Sequence, residues 1–241
     1  MKFIGYIPFG YPSIKESIDI ISSYCETGCT AIEASFPLQN PIGESEMITN
    51  YMRYALSKND NYDDYLEGIS QVRRLFPELE INLLLFVEVM LKIGKDKIAQ
   101  FCKKERIGSI ICPDISSHMD FQEEMSEKGL MFIAPFHYDV DDAELQNCIN
   151  AKGFIYMQAF PPEWQKVKPG FETPDVIIKY LRDNGVKNDI YAGVGIKNFE
   201  DVEIIKRAGA DGFFVGSTLM KLMDDPEALK KKVSEFIRIG K

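Results

Sequence analysis

Ala192-Gly193-Val194-Gly195-Ile196 and, further on, Gly212-Phe213-Phe214-Val215-Gly216-Ser217 each close a short apolar run and open a stretch with helical patterning. Glycines at such a junction let backbone N–H groups approach an anion, and the start of a helix adds a favourable dipole. Either turn alone equally suits a strand that simply ends tightly. Two of them on successive strands, at the end of a chain with earlier strand–helix units, favour a phosphate cup. Such cups follow strands seven and eight of (β/α)8 barrels.

Working back from these turns, short apolar runs alternate with longer amphipathic stretches. The expected strands are Phe3–Phe9, Ala31–Phe36, Ile81–Phe86, Ser109–Cys112, Met131–Ala134, Phe154–Gln158, Asp189–Ala192 and Gly212–Val215. Between them Ser13–Thr27, Asp63–Phe76, Lys95–Glu105, Ser117–Lys128, Pro174–Asn184 and Asn198–Ala208 carry apolar residues at three-to-four spacing. In the last of these Val202, Ile205 and Ala208 are expected to face inward, with Asn198 as N-cap and Gly209 as stop. A strict βα alternation demands a parallel sheet, and eight repeats can close it. The expectation is α/β, a single-domain (β/α)8 TIM barrel over 1–241, with short polar links. The rival, a doubly wound open sheet, wants a Gly-rich dinucleotide turn after the first strand, where the chain has Gly10-Tyr11-Pro12-Ser13.

The chain has 241 residues, the length of one such barrel, and a net charge of −9. It lacks a basic block interleaved with aromatics, which argues against nucleic acid. No apolar run reaches the ~18 residues of a membrane span, and the N-terminus lacks a signal-peptide pattern. The five cysteines form no Cys-x-x-Cys pair and there are two histidines, so buried thiols in a reducing cytoplasm are expected and a metal cluster is not.

Two connections are long, Pro37 to about Ser57 after strand two and Ala159 to Thr173 after strand six. Loops after strands carry the chemistry of barrels. Glu33 lies within strand two, and alternation puts it with Ser35 on one face and Ile32, Ala34 and Phe36 on the other. The apolar set should face the helices, so Glu33 points inward, where burial would raise its pKa and suit it to proton transfer. An interior glutamate salt-bridged to a neighbour is the structural alternative. Glu44, in Gly43-Glu44-Ser45-Glu46 at the tip of the first long loop, reads by itself as an acid at a helix N-terminus.

Taken in order, Ile7-Pro8-Phe9-Gly10-Tyr11-Pro12, Ala31-Ile32-Glu33-Ala34-Ser35-Phe36-Pro37 with Asn40-Pro41, Cys112-Pro113-Asp114-Ile115, Gly193-Val194-Gly195-Ile196 and Gly216-Ser217 resemble tryptophan synthase α chains. The resemblance implies a (β/α)8 lyase that cleaves indole-3-glycerol phosphate to indole and glyceraldehyde 3-phosphate without a cofactor or metal. It implies delivery of indole to a β chain that carries the pyridoxal phosphate. Glu33 takes the place of the proton-transferring glutamate, and Glu44 that of the carboxylate holding the indole N–H. Gly195, Gly216 and Ser217 fall at phosphate-contacting positions, with Gly193 in the same turn. Phe86 and Tyr156 fall where aromatic residues meet the substrate.

The chain departs from the family pattern at three places. Glu44-Ser45-Glu46 stands where the family has Asp-Gly-Pro. Phe160-Pro161-Pro162-Glu163-Trp164-Gln165-Lys166-Val167-Lys168-Pro169-Gly170 replaces the Arg-Ser-Gly-x-Thr-Gly lid. In the new segment Gly170 could supply an amide, and Lys166 or Lys168 a charge, to a phosphate. The helix that precedes strand one is missing, which would leave Phe3 and Ile4 exposed or covered by a partner. These departures, Trp164 among them, keep two alternatives open: a different phosphorylated substrate, or a weakly catalytic subunit that binds or regulates a β-chain-like partner. Asp114 suits bonding to loop amides as well as a direct role, and His137 at the rim suits a solvated loop position.

Overall fold

The computed structural model describes residues 1–163 and 165–241. Its strands are β1 (Lys2–Pro8), β2 (Ala31–Ser35), β3 (Glu80–Leu84), β4 (Ser109–Ile111), β5 (Ala134–Phe136), β6 (Ile155–Gln158), β7 (Ile190–Gly193) and β8 (Gly212–Val215). The helices are α1 (Ile14–Glu26), α2 (Glu46–Lys58), α3 (Tyr62–Leu75), α4 (Val87–Ile93), α5 (Lys95–Lys104), α6 (Met119–Glu127), α7 (Asp142–Asn150), α8 (Pro174–Asp183), α9 (Phe199–Ala208), α10 (Ser217–Met220) and α11 (Pro226–Gly240). The sheet order is β4-β3-β2-β1-β8-β7-β6-β5, with parallel ladders. Every strand neighbours its sequence predecessor or successor, and β1 also meets β8, the order of a (β/α)8 fold. Contacts divide the chain into two compact units.

One unit comprises Tyr6–Glu26 and Thr30–Phe132. Here Phe36 packs its ring against Phe9 (6.0 Å between centroids) and against Tyr65 of α3 (5.6 Å). That contact fixes the strand's faces: Ile32, Ala34 and Phe36 look to the helices, and Glu33 and Ser35 look the other way. The inward orientation expected of Glu33 is the one observed. Ser17 of α1 accepts a hydrogen bond from the Gly10 N–H at 2.9 Å and ties the turn after β1 to the helix.

The long connection after β2 contains a helix, α2, in its second half. Ser45 caps it by accepting from the Ile48 N–H (3.3 Å). Only Met52 and Ala55 are buried in it, so an apolar stripe is nearly absent and periodicity alone undersells it. Aromatic contact takes over the stripe's role. Tyr51 stacks on Tyr11 at 3.9 Å, and Tyr54 meets the same ring edge-on at 5.3 Å.

The second unit comprises Met1–Gly5, Thr27–Cys29 and Ile133–Lys241. Phe3 and Ile4 are buried, against the expectation of exposure or cover by a partner. The C-terminal helix α11 explains it. Its Phe236 stacks on Phe3 at 6.3 Å, and the N-terminal ammonium donates to the Gly240 carbonyl at 2.6 Å. Strand β5 begins later than expected: Phe132 makes an isolated bridge to Ile110, and the ladder to β6 runs from Ala134 through Pro135. Pro135 lies inside that ladder, opposite Tyr156, and the ladder tolerates its missing N–H. In α9, Asn198 and Asp201 form a reciprocal capping box, Gly209 ends the helix, and Val202 and Ile205 are fully buried. Ala208 is only half-buried.

Candidate functional site

The first unit contributes a row of polar side chains centred on Glu33. Across β2 and β3, Glu33 stands directly opposite Asn82. The other flank follows from hydrogen-bond phase. Where Ser35 pairs with Leu84, the next residue, Phe36, donates its N–H to Leu84 at 3.1 Å. By the same pattern, the Phe9 N–H bond to the Ser35 carbonyl (2.9 Å) pairs Pro8 with Ser35 and, two residues back, Tyr6 with Glu33. Registered residues of parallel neighbours share a face, so Tyr6, Glu33 and Asn82 form one inward row, with Ser35 above. All four are buried.

Burial first, and the charge of Glu44 second, push the Glu33 carboxyl up from 4.5 to about 8. Part of the Glu44 residue reaches solvent, yet burial of its carboxyl raises it to about 7. The phenol of Tyr6 is pushed well above its ordinary value by burial, then by the charges of Glu44 and Glu33. Glu44, Ser45 and Glu46 thus divide their labour: Glu44 turns in toward Glu33, Ser45 caps α2, and Glu46 supplies the acid of the first helical turn. Reading Glu44 merely as helix-terminal acid does not hold. Glu33 is raised further than Glu44, so near neutrality Glu33 is the readier of the two to hold its proton and Glu44 the readier to be ionised.

Phe86 follows β3 and is buried. The next amide, Val87 N–H, donates to both Asp114 carboxylate oxygens at 3.1 and 3.3 Å. Asp114 therefore binds a loop amide and fixes the segment that begins with Phe86.

In the second unit, Gly193 ends β7 and Gly216 follows β8, on adjacent strands. A Cβ on Gly193 would lie 2.3 Å from Tyr156 Oη, and one on Gly212 would lie 2.7 Å from the Tyr191 ring. These two glycines make room for tyrosines of the neighbouring strand. Tyr156 in turn stacks on Phe214 at 4.5 Å. Gly195 answers to a different need, a backbone φ of +98° directly against Phe160. Val194 beside it holds φ +62°, a costly conformation for a β-branched residue, and is exposed. Strain of that kind collects where a turn is shaped for a ligand. Gly216 and Ser217 start the short helix α10, whose first amides have no intrahelical acceptor.

The segment after β6 is a built loop. Gln158 and Gln165 exchange two side-chain amide bonds, 2.6 and 2.7 Å. Tyr138 Oη donates to the Ala159 carbonyl (2.8 Å), and the Lys168 N–H donates to the Tyr138 carbonyl (2.9 Å). The Gly170 N–H donates to the Glu172 carboxylate at 2.8 Å, so it is occupied rather than offered to a phosphate. Lys168 lies over the Phe171 ring. Trp164 lies outside the described residues. His137, expected as a solvated loop residue, pairs through Nδ1 with Glu144 of α7 at 2.7 Å. Among the described residues no cluster of side chains suits a metal ion.

Sequence reasoning missed Tyr6 and Asn82. Alternation places Tyr6 on the face of Ile4, but which residue of β2 it would flank depends on register, which the sequence did not expose.

The tryptophan synthase alpha chain family model matches residues 1–239. The tryptophan synthase alpha chain of Caldicellulosiruptor bescii is 28% identical over 247 residues, covering 98% of this chain and 90% of that protein. That of Corynebacterium efficiens is 27% identical over 255 residues, with coverage of 98% and 90%. Among solved structures, a tryptophan synthase complex from Pyrococcus furiosus superposes with a TM-score of 0.82 at 22% identity, covering 98% of this chain and 97% of that one. Tryptophan synthase from M. tuberculosis in its aminoacrylate-bound form gives 0.83 at 20% identity, with coverage of 100% and 93%. These two establish the fold, and the family match over nearly every residue establishes the rest: the chain belongs to the tryptophan synthase alpha chain family.

Proposed function

We propose that this chain is a carbon–carbon lyase that cleaves indole-3-glycerol phosphate to indole and glyceraldehyde 3-phosphate, with Glu33 and Glu44 as the acid–base pair. The observation that carries the reading is the pairing of these two carboxyls, buried together and held near 8 and 7. The reaction needs a proton delivered to the indole C3 and one removed from the adjacent glycerol hydroxyl. As the hydroxyl loses its proton the carbonyl forms, the C3–glycerol carbon bond breaks, and its electron pair returns to the ring as neutral indole. Protonation at C3 places positive character on the indole nitrogen, which Glu44 as a carboxylate would stabilise. Glu33 would move the protons at C3 and the hydroxyl. The step is redox-neutral, and its charges can be met by the two carboxyls without a cofactor.

In this reading the turns at Gly193–Gly195 and Gly216–Ser217 hold the phosphoryl group through backbone amides. Phe86 and Tyr156 line the substrate. A β-chain-like partner bearing pyridoxal phosphate would accept the indole. Ile42, Leu91 and Met119, each more than half exposed, follow β2, β3 and β4 on the segments where loops carry function, and apolar groups so placed suit a protein partner. No helix of the described residues is long and apolar enough to cross a membrane. Buried thiols at Cys102, Cys112 and Cys148 suit a reducing cytoplasm.

The test is indole release from indole-3-glycerol phosphate by the purified chain, with and without a β chain, alongside Glu33→Gln. Equal amounts of indole and glyceraldehyde 3-phosphate, lost in the variant by a factor of about 100 or more, support the assignment. Turnover untouched by the substitution removes Glu33 from the mechanism. A second reading, a different phosphorylated substrate, is favoured by the rebuilt loop after β6, whose Gly170 amide is already engaged.

A further inference from the structure

Val194, in the turn after β7, combines a φ of +62° with a β-branched side chain that is 60% exposed. A conformation of that kind persists only where its surroundings dictate it, and so exposed a side chain supplies little hold. The hold comes from the segment after β6. The Ala159 and Phe160 amides donate in succession to the carbonyls of Gly193 (2.7 Å) and Val194 (3.3 Å). A Cβ on Gly195 would stand 3.0 Å from the Phe160 Cβ and 3.2 Å from its carbonyl oxygen. Phe160 therefore bonds one residue of the turn and lies directly against the next.

Phe160 has to be held in its turn, because β6 ends at Gln158. Tyr138, on the connection between β5 and α7, does this. Its side chain is fully buried, and its Oη donates at 2.8 Å to the carbonyl of Ala159, the residue between the strand and Phe160. Burial, then Asp175, push the phenol well above its ordinary value, so it remains a donor across the neutral range. Tyr138 is itself fixed from two sides. Its carbonyl accepts from the Lys168 amide at 2.9 Å. Its predecessor His137 is bonded twice to Glu144 of α7, through the backbone N–H (3.0 Å) and Nδ1 (2.7 Å). A phenylalanine would fill the same space without bonding Ala159, so packing alone does not account for the hydroxyl.

We propose that Tyr138 is a positioning residue for phosphate recognition: through the Ala159 carbonyl its hydroxyl holds Phe160 against the Val194–Gly195 turn, and so keeps the amides of that turn aimed at the phosphoryl group. The inference rests on the reading of this turn as part of the phosphate cup. It goes further in naming a residue that sets phosphate affinity without touching the ligand.

The test uses two probes on the intact chain. Glycerol 3-phosphate carries the phosphoryl group without the ring, and indole carries the ring without the phosphoryl group. Calorimetry measures both in the wild type, Tyr138→Phe, Phe160→Ala and the double variant, with circular dichroism to check folding. Tyr138→Phe should weaken glycerol 3-phosphate by about ten-fold while indole binding is kept. For indole-3-glycerol phosphate the loss should fall on KM rather than kcat. In the Phe160→Ala background the same substitution should cost less than about two-fold, because the coupling runs through Phe160. Unchanged affinity for glycerol 3-phosphate in Tyr138→Phe, a parallel loss of both ligands, or a full further loss in the double variant overturns the proposal and leaves the phosphate reading of the turn standing. A wild type that binds indole but no glycerol 3-phosphate refutes that reading, and the proposal falls with it. Hydrogen exchange in the wild type tests the same link without a variant. Saturating glycerol 3-phosphate should slow exchange of the Lys168 amide, whose acceptor is Tyr138, and an unchanged rate overturns the proposal.

Discussion

Replacing Glu33 by glutamine should make the protein less sensitive to alkali while removing its activity. A rise of the Glu33 carboxyl from 4.5 to about 8 corresponds to about 5 kcal/mol opposing ionisation in place. The unfolded chain releases that proton near 4.5, whereas the folded chain keeps it until about 8. Between those values the folded state binds more protons, so stability falls as pH rises. From pH 5 to pH 8 the loss assignable to Glu33 has a ceiling of about 4 kcal/mol. Glu44, raised to about 7, adds a loss of the same sign that is complete near that pH. Glutamine has the size of the protonated side chain and cannot ionise, so Glu33→Gln abolishes its own part of the slope. Urea unfolding at half-unit steps from pH 5 to 8 reads it. The variant should match the wild type near pH 5 and exceed it by several kcal/mol near pH 8. Parallel curves for the two proteins would refute the claim that Glu33 is buried in its neutral form.

Other substitutions separate the parts of the site. Glu44→Gln removes the second cause of the Glu33 shift, so the alkaline limb of the kcat/KM profile should move to lower pH while the maximum rate falls about 100-fold or more; an unmoved limb would uncouple the two carboxyls. Gly193→Ala sets a Cβ 2.3 Å from Tyr156 Oη, which should cost about 1–3 kcal/mol, and Tyr156→Leu in the same chain should recover part of it in thermal unfolding. Gln165→Ala breaks both amide bonds to Gln158, and hydrogen exchange at the Lys168 amide should then quicken without a matching loss of global stability. Tyr51→Ala removes the stack on Tyr11 that steadies α2; a loosened Glu44 loop should lower kcat by about ten-fold or more, with thermal stability nearly kept.

Much of this arrangement is legible in the sequence, for identifiable physical reasons. The alternation in Ala31–Phe36 set Glu33 inward because one face was wholly apolar, and the contact of Phe36 with Tyr65 bears that out. The Asn198 cap and Gly209 stop could be read because caps are local. What escaped depends on contacts distant in sequence. The C-terminal helix covers Phe3 through Phe236, α2 is held by a tyrosine from the turn after β1, and the flanking of Glu33 by Tyr6 and Asn82 is a matter of register. The glycine turns were half legible. Gly195 has the positive φ expected of a turn glycine, but Gly193 and Gly212 owe their missing side chains to two tyrosines across the sheet.

The carboxyl carbon of Glu33, followed by 13C NMR through a pH titration of the intact protein, reports the state of that acid without reference to any substrate. A midpoint near 8 that falls when Glu44 is changed to glutamine is the predicted result. A midpoint near 4.5, indifferent to Glu44, would contradict the buried acid–base pair and the lyase chemistry derived from it.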